Sequence, residues 1–251
     1  MRATYSMQNG LWNGMRCLLL FFGFLFSSLL WGQLQFIPNT GQWEDHVKFM
    51  TPVSGGRVWS NQQGLRFEMY DAAFFASLHP NPNGNHESKG HVFDCIWKNA
   101  SPKSQWRGEK HFPFYHQYFL GQRKGKSLVY ESGSLLQVYQ GIDVHWGSVS
   151  QHLKYDWRVQ PHADPLQIQI EWDKNVSVQL KDGDLMIQSE TGTIIEKKPY
   201  AFQWINDKIV PVECAYILDK HAVSFQIGEY DANYELIIDP EIIFSTYIGS
   251  T

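Results

Sequence analysis

The sequence predicts an all-β protein built from antiparallel strands. Apolar and polar residues alternate in runs such as residues 153–159 (LKYDWRV) and 166–172 (LQIQIEW), a pattern typical of strands with one buried face. Turn signals separate these runs, and the Asp182-Gly183 pair is of the hairpin type. Aromatic residues make up 15% of the chain, and such side chains suit the half-buried surface of a sheet.

The spacing of the strand-like runs predicts how the chain is organised. Strands that recur about every 8–12 residues indicate a sandwich or barrel. We predict two β-sandwich-like lobes, the first over residues 33–140 and the second over residues 141–240. Residues 79–90 (HPNPNGNHESKG) break the pattern and predict an exposed loop in the first lobe. Because no flexible linker separates the lobes, the alternative is that they share one core.

The first 32 residues have the features of a signal peptide. Arg2 and Arg16 supply positive charge. Residues 17–30 (CLLLFFGFLFSSLL) are apolar, with a length suited to the about 7–15 residues of a signal-peptide core and short of the about 20 of a spanning helix. Cleavage after Gly32 would leave Gln33 as the mature N-terminus. We therefore predict export to the cell surface or medium without a membrane span after cleavage; an uncleaved anchor is the alternative.

Two cysteines, Cys95 and Cys214, remain after removal of the predicted signal peptide. An oxidising compartment would allow a disulfide between them. Both lie in apolar strand-like runs, so two buried free thiols are the alternative. The sequence contains no CxxC pair and no Cys/His cluster with zinc spacing, and we predict neither a metal nor another cofactor.

Charge and motifs argue against several classes of function. The net charge is -4 and no long basic run is present, which argues against a nucleic-acid partner. No hydrolase, metalloprotease or phosphate-binding motif occurs, so we predict a protein that is not an enzyme. Asp143 and Asp156 are the candidate carboxylate pair for an alternative glycoside hydrolase. A turn cap for Asp143 and a solvated strand face for Asp156 explain both residues more simply.

Tryptophan is the most informative residue type, with ten in the chain. Trp157 and Trp172 lie on the apolar face of their predicted strands and are assigned to the core. Trp106 lies between Gln105 and Arg107 and is the candidate surface contact for a ligand. The tryptophans therefore support a carbohydrate-binding module as an alternative function.

An ordered set of short phrases carries a family resemblance. Together they resemble the uncharacterised N-terminal domain that precedes SBBP-type β-propeller repeats in large exported bacterial proteins, frequent in Bacteroidetes. The phrases are residues 38–42 (PNTGQ), 115–121 (YHQYFLG), 139–144 (YQGIDV), 153–156 (LKYD), 163–165 (ADP), 196–200 (EKKPY) and 238–240 (IDP).

The resemblance also extends to the end of the chain. Residues 244–250 (FSTYIGS) resemble the opening of the first repeat, so residues 241–251 are predicted to begin a truncated propeller repeat. The resemblance implies that the chain is the front of a longer protein and that its partner is the downstream propeller domain. The expected function is a non-enzymatic structural or interaction module, for example in adhesion, with an extracellular polysaccharide or protein as a further partner.

Overall fold

The computed structural model describes residues 33–71, 74, 89–120, 123–149 and 152–246. These residues are almost entirely antiparallel β structure, with a short 3₁₀ helix at Pro165–Gln167, and the all-β prediction is confirmed. The predicted signal peptide, most of the predicted loop at 79–90, and residues 247–251 lie outside the described residues. No helix in the described part of the chain is both long and apolar enough to cross a membrane.

The described residues form nineteen strands, numbered β1 to β19 in chain order. They are β1 (Ile37–Pro38), β2 (Val47–Val53), β3 (Gly56–Asn61), β4 (Gly64–Tyr70), β5 (Gly90–Trp97), β6 (Gln105–Leu120), β7 (Arg123–Tyr139), β8 (Ile142–Val149), β9 (His152–Val159), β10 (Ile170–Trp172), β11 (Ser177–Lys181), β12 (Asp184–Gln188), β13 (Gly192–Glu196), β14 (Tyr200–Ile205), β15 (Lys208–Val212), β16 (Cys214–Asp219), β17 (Ala222–Ile227), β18 (Leu236–Asp239) and β19 (Glu241–Thr246).

The strands form two antiparallel sheets. The first sheet has eight strands in the order β1-β2-β3-β4-β5-β10-β17-β16. The second has eleven strands, with a main order of β11-β12-β13-β19-β9-β18-β14-β15 and with β6, β7 and β8 joined to it through β9. The inner faces of the sheets meet in a tryptophan-rich core, where the Trp97 ring lies 5.0 Å from that of Trp157 and 6.2 Å from that of Trp146.

Strands from before and after the predicted lobe boundary at residue 140 are mixed in both sheets, as the alternative of a shared core implies. Strands β10, β16 and β17 follow that boundary in sequence but join β1–β5 in the first sheet, while β6 and β7 precede it and join the second. The described residues from Leu34 onward form one compact unit. Alternation predicts that a segment is a strand, but it carries no information about which sheet the strand enters, because both sheets bury one face.

The segment assigned to a propeller repeat is also placed differently. Glu241–Thr246 forms β19, which pairs with β13 on one side and with β9 on the other. Along β9, Ile238 of β18 lies opposite Trp157 and Glu241 of β19 lies opposite Lys154, so the two strands follow each other along the same edge. Pro240 separates them because it has no N–H to donate to the ladder. The described residues of this segment therefore belong to the second sheet of the domain.

Of the two alternatives for the cysteines, the structure has the buried free thiols: Cys95 and Cys214 are both free and buried. Cys95 lies on β5 and Cys214 on β16, three strand positions away in the same sheet. At about 4.8 Å per strand, β5 and β16 are about 14 Å apart across the sheet, and the register also offsets the two cysteines along their strands. A disulfide needs a Cα separation of about 4.4–6.8 Å. Burial raises the pKa of the Cys214 thiol to about 11, and burial also raises the pKa of the Cys95 thiol well above its usual range.

This arrangement predicts the thiol chemistry of Cys95 and Cys214. In denaturant without reductant, both Cys95 and Cys214 should react at once with iodoacetamide, because neither is bonded. In the native protein both should react slowly, since they are buried and their pKa values are raised. Mass spectrometry counts the added groups. A chain that needs reductant before either thiol reacts would contradict the free-thiol assignment.

Candidate ligand-binding groove

The loop between β1 and β2 is organised by the side chain of Asn39. Its Nδ2 donates to the carbonyl oxygens of Glu44, at 2.8 Å, and Val47, at 3.0 Å. Its Oδ1 accepts from the backbone N–H groups of Gly41, at 3.0 Å, and Trp43, at 3.2 Å. Gly41 has a φ of 102°, which favours glycine. One side chain thus closes the loop and holds the backbone at Trp43.

Trp43 packs against two aromatic side chains from other strands. Its ring lies edge-on to Trp59 of β3, with 5.0 Å between centroids and 85° between planes. On another side it lies 6.1 Å from Tyr118 of β6. The indole N–H of Trp59 donates to Oε2 of Glu68 at 2.9 Å, which fixes that ring as well. Both indoles are half-buried, so part of each remains accessible.

Polar side chains in fixed orientations lie beside the two indoles. Arg66 of β4 donates from Nε and one terminal nitrogen to the two carboxylate oxygens of Asp94, at 2.8 and 2.9 Å. This bidentate pair holds the guanidinium in place and raises the pKa of Arg66. Glu68 also accepts from the Tyr70 hydroxyl, which raises the pKa of that phenol. Asn61 ends β3 and accepts from the backbone N–H of Gln63 at 2.8 Å.

A groove of about 430 Å³ on the outer face of the first sheet has Trp43, Trp59, Asn61, Arg66 and Glu68 in its lining. A neighbouring depression of about 350 Å³ shares Asn61 and Arg66 with it. Pockets of about 300–1,000 Å³ with an apolar lining and a few oriented polar groups are typical small-molecule sites. Trp43, Trp59 and the half-exposed Val92 supply the apolar lining, so the groove has the composition of a ligand-binding site.

A match to a known domain family covers most of the chain. The sequence model of DUF7948, a domain of unknown function, matches residues 36–241. The chain belongs to this family. The predicted membership of an uncharacterised domain family is therefore confirmed at that level. Neither the curated proteins nor the solved structures gave a match.

The DUF7948 match includes the whole groove and the Asn39 loop. Sequence reasoning did not single out Trp43 or Trp59. A signal for both is present, because the PNTGQ phrase leads directly into Trp43, and Trp59 shares one face of its strand with polar Arg57 and Asn61. What the sequence lacks is any sign that the two indoles meet.

Trp106, the predicted surface contact of the DUF7948 domain, is instead packed against the core. Its ring lies 4.4 Å from that of Phe49 and 6.2 Å from that of Phe36. Its indole N–H is buried and has no hydrogen-bond partner in the described structure. The polar neighbours Gln105 and Arg107 point to the opposite face of the strand, because successive side chains alternate across a sheet.

Asp143 and Asp156 of the DUF7948 domain have different partners. Oδ1 of Asp143 accepts from the backbone N–H of Gln137 at 2.7 Å, so Asp143 holds an irregular turn of β7. Asp156 faces Lys154, whose Nζ lies 3.7 Å from Asp156 and 2.8 Å from Asp239. Burial raises the pKa of Asp156 to about 6; Lys154 opposes this rise and Asp239 adds to it.

The described residues contain no group of three or more His, Cys, Asp or Glu side chains that could hold a metal ion. The groove combines apolar ring surface with an amide, a carboxylate and a guanidinium whose positions are set by neighbouring residues. Such a combination can bind a ligand that has both apolar and hydroxylated surface.

Proposed function

We propose that this domain is a non-enzymatic interaction module of an exported bacterial protein and that it binds a carbohydrate in the Trp43–Trp59 groove. The observation that carries the proposal is the pair of indoles fixed at the centre of a groove, with hydrogen-bonding groups beside them. A pyranose ring has C–H faces that pack on aromatic rings and hydroxyl groups that bind carboxylates, amides and guanidinium groups.

The charges of the groove favour a neutral sugar. Glu44 and Glu68 lie in its wall, while Arg66 is already paired with Asp94. An acidic polysaccharide would bring further negative charge next to these carboxylates, and like charges at short distance repel. Neutral and amino sugars lack this repulsion and are the expected ligands.

The cellular setting is the second part of the proposal. The apolar N-terminal run supports export, and the ordered phrases support a place in front of SBBP-type propeller repeats in a larger protein. The downstream propeller would be the partner of the domain within its own chain, and binding of glycan would serve adhesion at the cell surface.

A mass measurement on the native protein tests this setting. The protein recovered from the surface and medium fractions should begin near Gln33 and have a mass well above that of this 29.1 kDa chain. A protein retained in the cytoplasm with residues 1–32 intact would contradict export. A mature mass just below 29.1 kDa would contradict the larger protein while leaving the groove proposal intact.

Tryptophan substitutions test the groove itself. Trp43→Ala and Trp59→Ala should each weaken binding to a neutral soluble polysaccharide by about tenfold or more, because each removes an aromatic stacking surface. Affinity gel electrophoresis against neutral, amino and acidic polysaccharides measures the change. Trp204→Ala is the matched control, since Trp204 is 54% exposed on β14 of the second sheet.

The outcomes separate clearly. Retardation by neutral polysaccharides that is lost in the groove variants and kept in the Trp204→Ala control supports the proposal. Equal weakening in the control, or no retardation by any polysaccharide for the unaltered protein, argues against it. Thermal melting of each variant checks that the fold is retained.

A further inference from the structure

The β6–β7 hairpin has a distal part that extends past the strand beside it. We name residues 115–120 and 123–128 the arm; their register runs from Tyr115 opposite Leu128 to Leu120 opposite Arg123. Strand β8 pairs with β7 only between Gly133 and Tyr139. In the described residues, the two arm strands pair with each other. The Ser127 hydroxyl donates to the carbonyl oxygen of Pro38 in β1, and the Lys126 carbonyl oxygen accepts from the Thr40 hydroxyl in the loop after β1.

The arm has one packed face and one exposed face. On the packed side, Tyr118 lies with Ile37 and Trp43 in a small apolar cluster next to the groove loop. On the other side, Tyr115 is 49% exposed and Phe119 is 64% exposed. These two residues lie four positions apart in a regular stretch of β6 and therefore share a face.

Two lysines stand on the same exposed face. Lys124 lies directly opposite Phe119 in the register, and its Nζ is 5.9 Å from the centre of that ring. Lys126 reaches across the strands, with its Nζ 3.8 Å from the centre of the Tyr115 ring. Leu128, which is 40% exposed, completes the face opposite Tyr115.

Charge is segregated on this hairpin. Residues 111–130 contain three Lys or Arg and no Asp or Glu, although the whole chain has a net charge of -4. The first acid beyond this stretch, Glu131, is paired with Lys110. The exposed face of the arm is thus cationic and aromatic in a protein that is acidic overall.

We propose that the exposed face of the arm binds the surface of an anionic lipid bilayer. Tyr115 and Phe119 would lie at the boundary of headgroups and acyl chains, where aromatic side chains are favoured. Lys124 and Lys126 would keep their stems along the apolar face and place their ammonium groups among anionic headgroups. A soluble polyanion would use the lysines but leave Phe119 in water, so the exposed apolar rings favour a bilayer.

Vesicle co-sedimentation with the full chain tests this proposal. The protein should sediment with vesicles of phosphatidylcholine mixed with phosphatidylglycerol, and poorly with phosphatidylcholine alone. The double variant Lys124→Gln/Lys126→Gln should weaken binding about 25-fold, since each lysine near an anionic surface contributes about fivefold. Phe119→Ser should also weaken binding while leaving the charge unchanged. Lys208→Gln, on β15 far along the chain, is the charge control and should bind normally.

Other outcomes would overturn the proposal. Absence of sedimentation with the anionic vesicles would do so directly. So would tight binding of soluble polygalacturonate that is insensitive to Phe119→Ser and displaces the protein from vesicles, because this would identify an acidic polysaccharide as the partner. Neutral-polysaccharide binding in the groove is measured separately, so either proposal can fail while the other stands.

Discussion

Replacing Gly64 with Ala should cost about 3 kcal/mol or more of folding free energy, the largest effect that we expect from a change of one methyl group. Gly64 begins β4 with a φ of 137°, which L-residues rarely adopt. A Cβ at this position would lie 2.0 Å from the carbonyl oxygen of Cys95 and 3.1 Å from the backbone nitrogen of Trp97. Both contacts are backbone atoms of β5, so no side chain can rotate to relieve them.

The same substitution should disturb the ligand-binding groove. Strands β4 and β5 would have to separate, and the Arg66–Asp94 pair spans that junction. Gly64→Ala should therefore lower the midpoint of thermal unfolding by about 6 °C or more for a domain of this size and also weaken ligand binding. Gly147→Ala on β8 is the matched control, because its Cβ would have no atom within 4 Å. Equal melting temperatures for the two variants would contradict the steric argument.

Glu196→Gln should stabilise the protein above pH 7. Glu196 ends β13, is only 3% exposed, and points into the core, where it accepts a hydrogen bond from the Tyr155 hydroxyl. Burial raises the pKa of Glu196 to about 7, and the Tyr155 hydrogen bond opposes that rise. Cys95 and Tyr216 also face this carboxyl, and its charge contributes to their raised pKa values.

The direction of the pH effect follows from this raised pKa. An unfolded Glu has a pKa of about 4.3, so the folded protein holds its proton to higher pH than the unfolded chain does. The stability that protonated Glu196 confers is complete below about pH 4 and is lost as the pH rises through the folded pKa of about 7. The loss over this range is roughly 3–4 kcal/mol.

Chemical denaturation at several pH values measures the effect. Glu196→Gln should remove the part of the decline in unfolding free energy between pH 4 and about 8 that Glu196 causes, because the amide stays neutral and its oxygen accepts from Tyr155. The pKa of Asp156 is raised to about 6, so Asp156 also lowers the unfolding free energy as the pH rises. This contribution is the same in both proteins and cancels when their unfolding free energies are subtracted. A variant with the same pH profile as the unaltered protein would contradict the assignment.

Tyr155→Phe provides the complementary variant. It removes the hydrogen bond to Glu196 and leaves a buried carboxyl without that donor, which should cost about 1–3 kcal/mol. The pKa of Glu196 should then rise further, because the Tyr155 hydrogen bond lowers it in the intact protein. The decline in stability should accordingly extend to higher pH than in the unaltered chain.

The prediction of the fold class depended on local pattern, which the tertiary structure preserved. Alternation in residues 153–159 placed Tyr155 and Trp157 on the buried face of β9, and both are buried. The Asp182-Gly183 signal marked a turn, and both residues have positive φ between β11 and β12. These features are local, because side-chain direction along a strand and turn conformation depend on adjacent residues.

Only the tertiary structure shows that the short phrases behind the family resemblance contact one another. On one face of β9, the hydroxyl of Tyr155, from the 153–156 phrase, donates a hydrogen bond to Glu196, from the 196–200 phrase. On the other face, Lys154 binds Asp239 of the 238–240 phrase. The sequence showed the order of these phrases, whereas their pairing required strands distant in the chain to become neighbours.

By itself, the sequence determined that the chain forms antiparallel strands with defined buried faces and belongs with an uncharacterised domain family. The tertiary structure alone decided how strands were divided between two sheets, why Cys95 and Cys214 stay apart, and why Trp106 packs inward. It also brought Trp43 to Trp59. The physical reason is that alternation repeats equally in every half-buried strand, so it identifies strands but not the partners that each one selects.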